Sequence, residues 1–101
     1  MKGSAKVKVP NGKIVEVKLD FDESINSIQI LGDFFMYPES ALKELESVLV
    51  GVSSSESEKN LTWIILETLK RNNATVIGVT PDAIANVIRK AIGNEVESNK
   101  T

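Results

Sequence analysis

The sequence predicts an α+β domain: a three-stranded antiparallel sheet covered on one face by three helices, in the order β-β-β-α-α-α. Two observations carry this expectation. Apolar and polar residues alternate with period two over the first third of the 101 residues, and apolar spacing of three and four fills most of the rest. A third consideration joins the halves: a sheet with one apolar face must be covered, and the helices that follow it can supply the cover.

Ala5, Val7 and Val9 alternate with Lys6 and Lys8, and Val15, Val17, Leu19 and Phe21 alternate with Glu16, Lys18, Asp20 and Asp22. Such alternation buries one side of each strand. Pro10-Asn11-Gly12-Lys13 lies between them. Asn-Gly favours a two-residue loop, but that loop would set Val9 opposite Ile14 and Val7 opposite Glu16, mixing the faces. A loop one residue longer pairs Val9 with Val15, Val7 with Val17 and Ala5 with Leu19, and this is the register expected. The outer face then pairs Lys8 with Glu16 and Lys6 with Lys18. After a tight turn near Ser24-Ile25, a third strand sets Ile28 and Ile30 opposite Phe21 and Leu19.

Pro38 suits the first position of the first helix, which carries Ala41, Leu42, Leu45, Val48, Leu49 and Val52 on one side. A polar, serine-rich connector follows from Gly51 to Asn60, and Ser55-Glu56-Ser57-Glu58 has capping-box spacing. The second helix runs to about Arg71, with Leu61, Ile64, Ile65 and Leu69 on one stripe. Trp63 and Leu66 form another, so this helix is expected to bury more than one side. After Asn72-Asn73 and Val76-Ile77-Gly78-Val79, Thr80 caps a third helix that opens on Pro81 and Asp82. Ile84, Val87, Ile88, Ala91 and Ile92 make its stripe and Gly93 its stop. The chain thus reads as one domain, residues 1–93, with a polar tail over 94–101 that is expected to fray.

Composition removes several chemistries. With no cysteine and no histidine, the chain has no disulfide framework, thiol nucleophile, imidazole base or zinc site of the usual ligand sets. No apolar run approaches the roughly 20 residues of a membrane span, and the first residues lead into no signal-peptide core, so a cytoplasmic location is expected. The net charge of -2 hides an uneven distribution, +4 over residues 1–18, -8 over 19–67 and +2 beyond. A broad nucleic-acid footprint needs a more continuous positive surface. A helix-turn-helix with Arg71, Arg89 and Lys90 as DNA contacts ranks last, because the connector from Asn72 to Val79 is too long for the usual tight turn.

Three of the five aromatic residues lie within Phe34-Phe35-Met36-Tyr37, at a strand-to-helix junction bounded by Gly32-Asp33 and Pro38. Four large apolar or aromatic side chains in succession cannot all point inward. Core packing is the ordinary role of any one of them, but the group is expected to leave at least one outward-facing anchor for a partner. Asp33 is read first as an acceptor for backbone N–H groups in its turn, a commoner role for such an aspartate than chemistry. The partner-interface candidates are Asp33, Phe34, Phe35, Met36, Tyr37 and Pro38.

Lys8-Val9-Pro10-Asn11-Gly12-Lys13, the alternating strands, and Ile30-Leu31-Gly32-Asp33-Phe34-Phe35-Met36-Tyr37-Pro38-Glu39 together resemble the accessory domain of lipoate–protein ligases. Ile77-Gly78-Val79-Thr80-Pro81-Asp82 is similar to that family's approach to its last helix, so the resemblance runs from about Val7 to Ile92. In the family this domain either follows a catalytic domain or stands as a separate small subunit, and the resemblance implies the separate form. It implies a fold also shared with SufE/NifU-like iron–sulfur assembly proteins. It further implies a heterodimer with a catalytic subunit that uses lipoate, ATP and Mg2+ to form lipoyl-adenylate. The lipoyl group then passes to a lysine of an acceptor domain, a transient partner. No cofactor is expected on this chain alone, nor a catalytic residue: it shows no nucleophile, no base poised near pH 7 and no phosphate-binding glycine loop.

The hairpin lysines are expected to place positive charge on the outer sheet face, ordinarily for solvation and protection of the edge. The functional alternative is that Gly12 and Lys13, at the tight turn, approach the adenylate phosphates or an acidic acceptor domain. A cysteine-free interaction scaffold without a ligase role is the competing reading of the whole chain.

Overall fold

The computed structural model describes residues 1–10 and 12–93; the tail expected over 94–101 lies outside them. Strands β1 (Lys2–Lys8), β2 (Ile14–Phe21) and β3 (Ile25–Gly32) form an antiparallel sheet in that order. A short strand β4 (Phe35–Tyr37) leads to helices α1 (Ser40–Leu49) and α2 (Glu58–Arg71). Strand β5 (Thr75–Ile77) returns to pair antiparallel with β4, and α3 (Pro81–Gly93) closes the fold. The sheet and three helices are as expected. The two-stranded β4–β5 ribbon is not, and it replaces what reads in sequence as two loops.

The expected buried faces are correct, but the register is offset by two residues. Val7 pairs with Val15 and Ala5 with Val17, while Ile30 lies opposite Val17 and Ile28 opposite Leu19. The loop has the expected three positions but begins one residue earlier. Val9 N–H donates to Lys13 O (2.8 Å), and Gly12 N–H donates to Val9 O (2.9 Å). Gly12 takes φ 89°, and this is the cause of the offset. The third position of such a loop needs a left-handed residue, and the sequence offers its glycine there. An even offset preserves the alternation, so Val15 and Val17 remain fully buried. The outer rows change partners: Lys6 faces Glu16, and Lys18 faces Ser4.

The core lies between the sheet and the helices. It joins Val15, Val17, Leu19, Phe21 and Ile30 to Ala41, Leu45 and Leu49 of α1, Leu61 and Ile65 of α2, and Ile84, Val87 and Ile88 of α3. Helix α3 lies on β1 and β2, α1 lies on β3, and α2 packs on α1 and α3. At Gly3 a Cβ atom would collide with the Ala91 carbonyl, so the missing side chain lets α3 settle directly onto β1.

Three helix expectations need correction. Pro38 precedes α1 rather than opening it; Glu39 occupies the N-cap without a side-chain bond. The start of α2 is capped by Ser57, whose Oγ accepts the Asn60 N–H (3.1 Å), not by Ser55. Trp63 and Leu66 do not make a second buried stripe: they are 61% and 42% exposed. One face of α2 suffices because its neighbours, α1 and α3, lie on the same side as Leu61, Ile65, Thr68 and Leu69. The serine-rich connector is held against the turn between β2 and β3. Ser54 Oγ donates to Asp22 O (2.7 Å), Ile25 N–H to Val52 O (2.9 Å), and Arg89 Nη1 to Ser54 O (2.6 Å).

Candidate functional site

Three segments meet at one end of the sheet: the loop between β1 and β2, the link between β3 and β4, and the turn between β5 and α3. Asp33 ties the first two. Ile14 N–H donates to Asp33 Oδ1 (2.6 Å), and Asp33 N–H donates to Ile14 O (3.2 Å). The aspartate is thus a backbone acceptor, though for the strand start across the sheet rather than for its own turn. Gly32 has room for no side chain here, since a Cβ would meet the Ile14 carbonyl and the Phe34 ring. Gly78 supplies the third segment, at φ 102°. A Cβ placed there would lie 3.4 Å from Phe34 Cβ and 3.6 Å from Lys13 Cγ.

The junction sorts its aromatic and apolar side chains by the pleat of β4. Met36, the central residue, points inward and is buried, and Phe34 is half-buried against the core. Phe35 and Tyr37 face the other way, 57% and 53% exposed, with their rings stacked at a centroid distance of 6.4 Å. Pro38, after a cis peptide bond, is exposed. Across the ribbon, Ile77 pairs with Phe35 and is itself 53% exposed. Ile14, bonded to Asp33, is also exposed. Four of the eight large apolar side chains exposed among the described residues therefore belong to this junction: Ile14, Phe35, Tyr37 and Ile77. An apolar surface concentrated in this way is a mark of a protein-binding face.

Ile77 and Gly78 were not among the candidates drawn from the sequence. The signal available was Thr75-Val76-Ile77, a β-branched run between Asn72-Asn73 and a glycine, which fits a strand. Lys13 is also displaced from its expected place. Opposite Val9, it takes the parity of Val15 and Val17, so it belongs to the covered face rather than the outer one. Its stem lies beside Gly78 and it is half-buried.

Among the described residues no set of three or more carboxylates is grouped to hold a metal ion, and no helix is long and apolar enough to cross a membrane.

No protein-family model matches the chain, and no curated protein sequence does. Among solved structures, it matches a chain from a Thermoplasma acidophilum structural analysis of an archaeal lipoylation system, a bi-partite lipoate protein ligase and its E2 lipoyl domain. The TM-score is 0.73 at 30% sequence identity, over 88% of this chain and 96% of the other. The shared α+β fold and this identity over nearly the whole of the matched chain place the protein in a family: it belongs to the bipartite lipoate–protein ligases.

Proposed function

We propose that this chain is the non-catalytic subunit of a two-subunit lipoate–protein ligase and that it docks on the catalytic subunit through the β4–β5 junction. The observation that carries the proposal is the stacked, outward-facing pair Phe35 and Tyr37, extended by Ile77 across the ribbon. Aromatic side chains held rigidly on a strand are effective interface anchors, because little further conformational entropy is lost when they are covered. Asp33, Phe34, Met36 and Pro38 fix that pair in place from behind and at its ends, and the loop that carries Gly12 and Lys13 joins the same end of the sheet through the Ile14–Asp33 bonds.

In this reading the heterodimer activates lipoate with ATP and Mg2+ to lipoyl-adenylate, then transfers the lipoyl group to a lysine of an acceptor domain. The donor set of this chain does not fit a nucleotide site of its own. The lysines here, Lys13 and Lys8 opposite Ile14, lie on opposite faces of the sheet, and the N–H groups of Gly12, Ile14 and Asp33 are already bonded within the chain. Lipoate, ATP and the metal ion are therefore assigned to the catalytic subunit, and the work of this chain is to bind and orient that subunit.

The test is lipoate-dependent pyrophosphate exchange by the catalytic subunit, titrated with this chain. The wild-type chain is expected to stimulate exchange. The double variant Phe35→Ser/Tyr37→Ser, altered only at exposed positions, should fold normally yet need at least about thirtyfold more protein for half-stimulation. Absence of stimulation by the wild-type chain, or equal stimulation by the variant, refutes the proposal.

A further inference from the structure

We propose that Lys13 is the charged rim of this docking surface, and that the catalytic subunit meets it with a carboxylate set beside an apolar recess. The inference rests on the docking role proposed above and names the chemistry that the partner must present.

The position of Lys13 is unusual for a hairpin lysine. Its alternation places it on the face where Val15 and Val17 are buried, at the point where the sheet runs out from under α3. There the covering element is the turn at Gly78, where a Cβ would meet both the Lys13 stem and Phe34. Ile77 immediately precedes that glycine and pairs with Phe35. Lys13, Phe34, Gly78, Ile77 and Phe35 thus follow one another from the loop to the ribbon, and the aliphatic stem of the lysine lies beside the turn that leads into the apolar patch.

The ammonium has no counter-ion at hand. Among the described residues no carboxylate lies within 4.0 Å of Lys13, a property it shares with the exposed lysines Lys6, Lys8 and Lys18 of the outer sheet face; what sets Lys13 apart is that its stem is half-buried. Asp33, the acidic residue of the junction, directs Oδ1 at the Ile14 N–H. A cation on a partly buried stem, next to an apolar patch and lacking a local partner, is arranged to make a charge-assisted bond across an interface.

The same geometry favours a carboxylate over a phosphate. Phosphates are held by several converging donors, commonly backbone N–H groups. The N–H groups of Gly12, Ile14 and Asp33 are occupied by Val9 O, Asp33 Oδ1 and Ile14 O. Lys13 adds a single ammonium beside these occupied groups, which suits a single carboxylate.

The experiment measures binding of the full chain to the catalytic subunit at low and at high ionic strength, alongside carbodiimide cross-linking, which joins a lysine to a carboxylate it touches. The Lys13→Gln variant should bind about tenfold more weakly at low salt and lose much of the salt dependence. The Lys13→Arg variant should keep its affinity but lose the cross-link that wild-type Lys13 makes to an acidic residue of the partner. Wild-type affinity in Lys13→Gln overturns the inference. So does a Lys13→Gln variant that binds normally but slows pyrophosphate exchange at saturation, which would mark a phosphate contact. If Phe35→Ser/Tyr37→Ser is impaired while Lys13→Gln is not, only the charged rim falls; if neither is impaired, the docking reading falls with it.

Discussion

Two aspartates secure the opposite ends of β2. At its start, Asp33 takes the Ile14 N–H and returns its own N–H to Ile14 O. Beyond its end, Asp22 accepts from Asn26 Nδ2 (3.1 Å) and from the Met1 ammonium (3.4 Å). The Asn26 amide first, and then the ammonium, hold the Asp22 carboxyl below its ordinary value of 3.8. Because the folded value is depressed, the stabilisation is present above the ordinary aspartate range and is lost as pH falls through the lower, folded value. Asn26→Ala should move the Asp22 titration upward when the carboxyl carbon is followed by NMR; an unmoved titration would remove the amide as its cause. At this scale the sequence was partly legible. An aspartate after a glycine reads as a backbone acceptor, but the strand it serves, 19 residues back, depends on how the sheet assembles.

Among the elements, α2 shows how a helix can carry more apolar residues than it buries. Its inner face ends at Leu61, Ile65 and Leu69, while Trp63 and Leu66 meet solvent. In urea unfolding, Trp63→Ala should change stability by less than about 0.5 kcal/mol. Removing the cap by Ser57→Ala should cost about 1 kcal/mol, and Leu61→Ala about 2–5 kcal/mol. A Trp63→Ala loss as large as that of Leu61→Ala would show that the outer face is packed after all. Spacing identified the helix and its end at Arg71 but gave no means of ranking the two stripes, which is decided by where α1 and α3 lie. The ribbon was hidden for a different reason. Strands of three residues are too short to display a period, and β4 and β5 are brought together by the whole of α1 and α2.

The molecule as a whole depends on how closely α3 approaches β1. Gly3 is buried beneath the Ala91 carbonyl, with backbone against backbone. Gly3→Ala should force the layers apart and cost about 1–3 kcal/mol, lowering the melting temperature by about 4–8 °C for each kcal/mol. An unchanged urea midpoint would contradict this packing. The layer order and the buried faces were legible because alternation survives any even slip of register. The register itself was set by Gly12, whose left-handed φ fixes the loop one position earlier than the apolar pattern favours.

The open side of β3 has a further consequence. Glu46 of α1 reaches over it and accepts the Ile30 N–H (2.8 Å), while Val52 O occupies the Ile25 N–H. Bare strand margins invite copies of the same chain to stack into fibrils. With its margin stoppered in two places, β3 offers no continuous run of free backbone groups to a second copy, so sheet extension is confined to the lysine-bearing margin of β1.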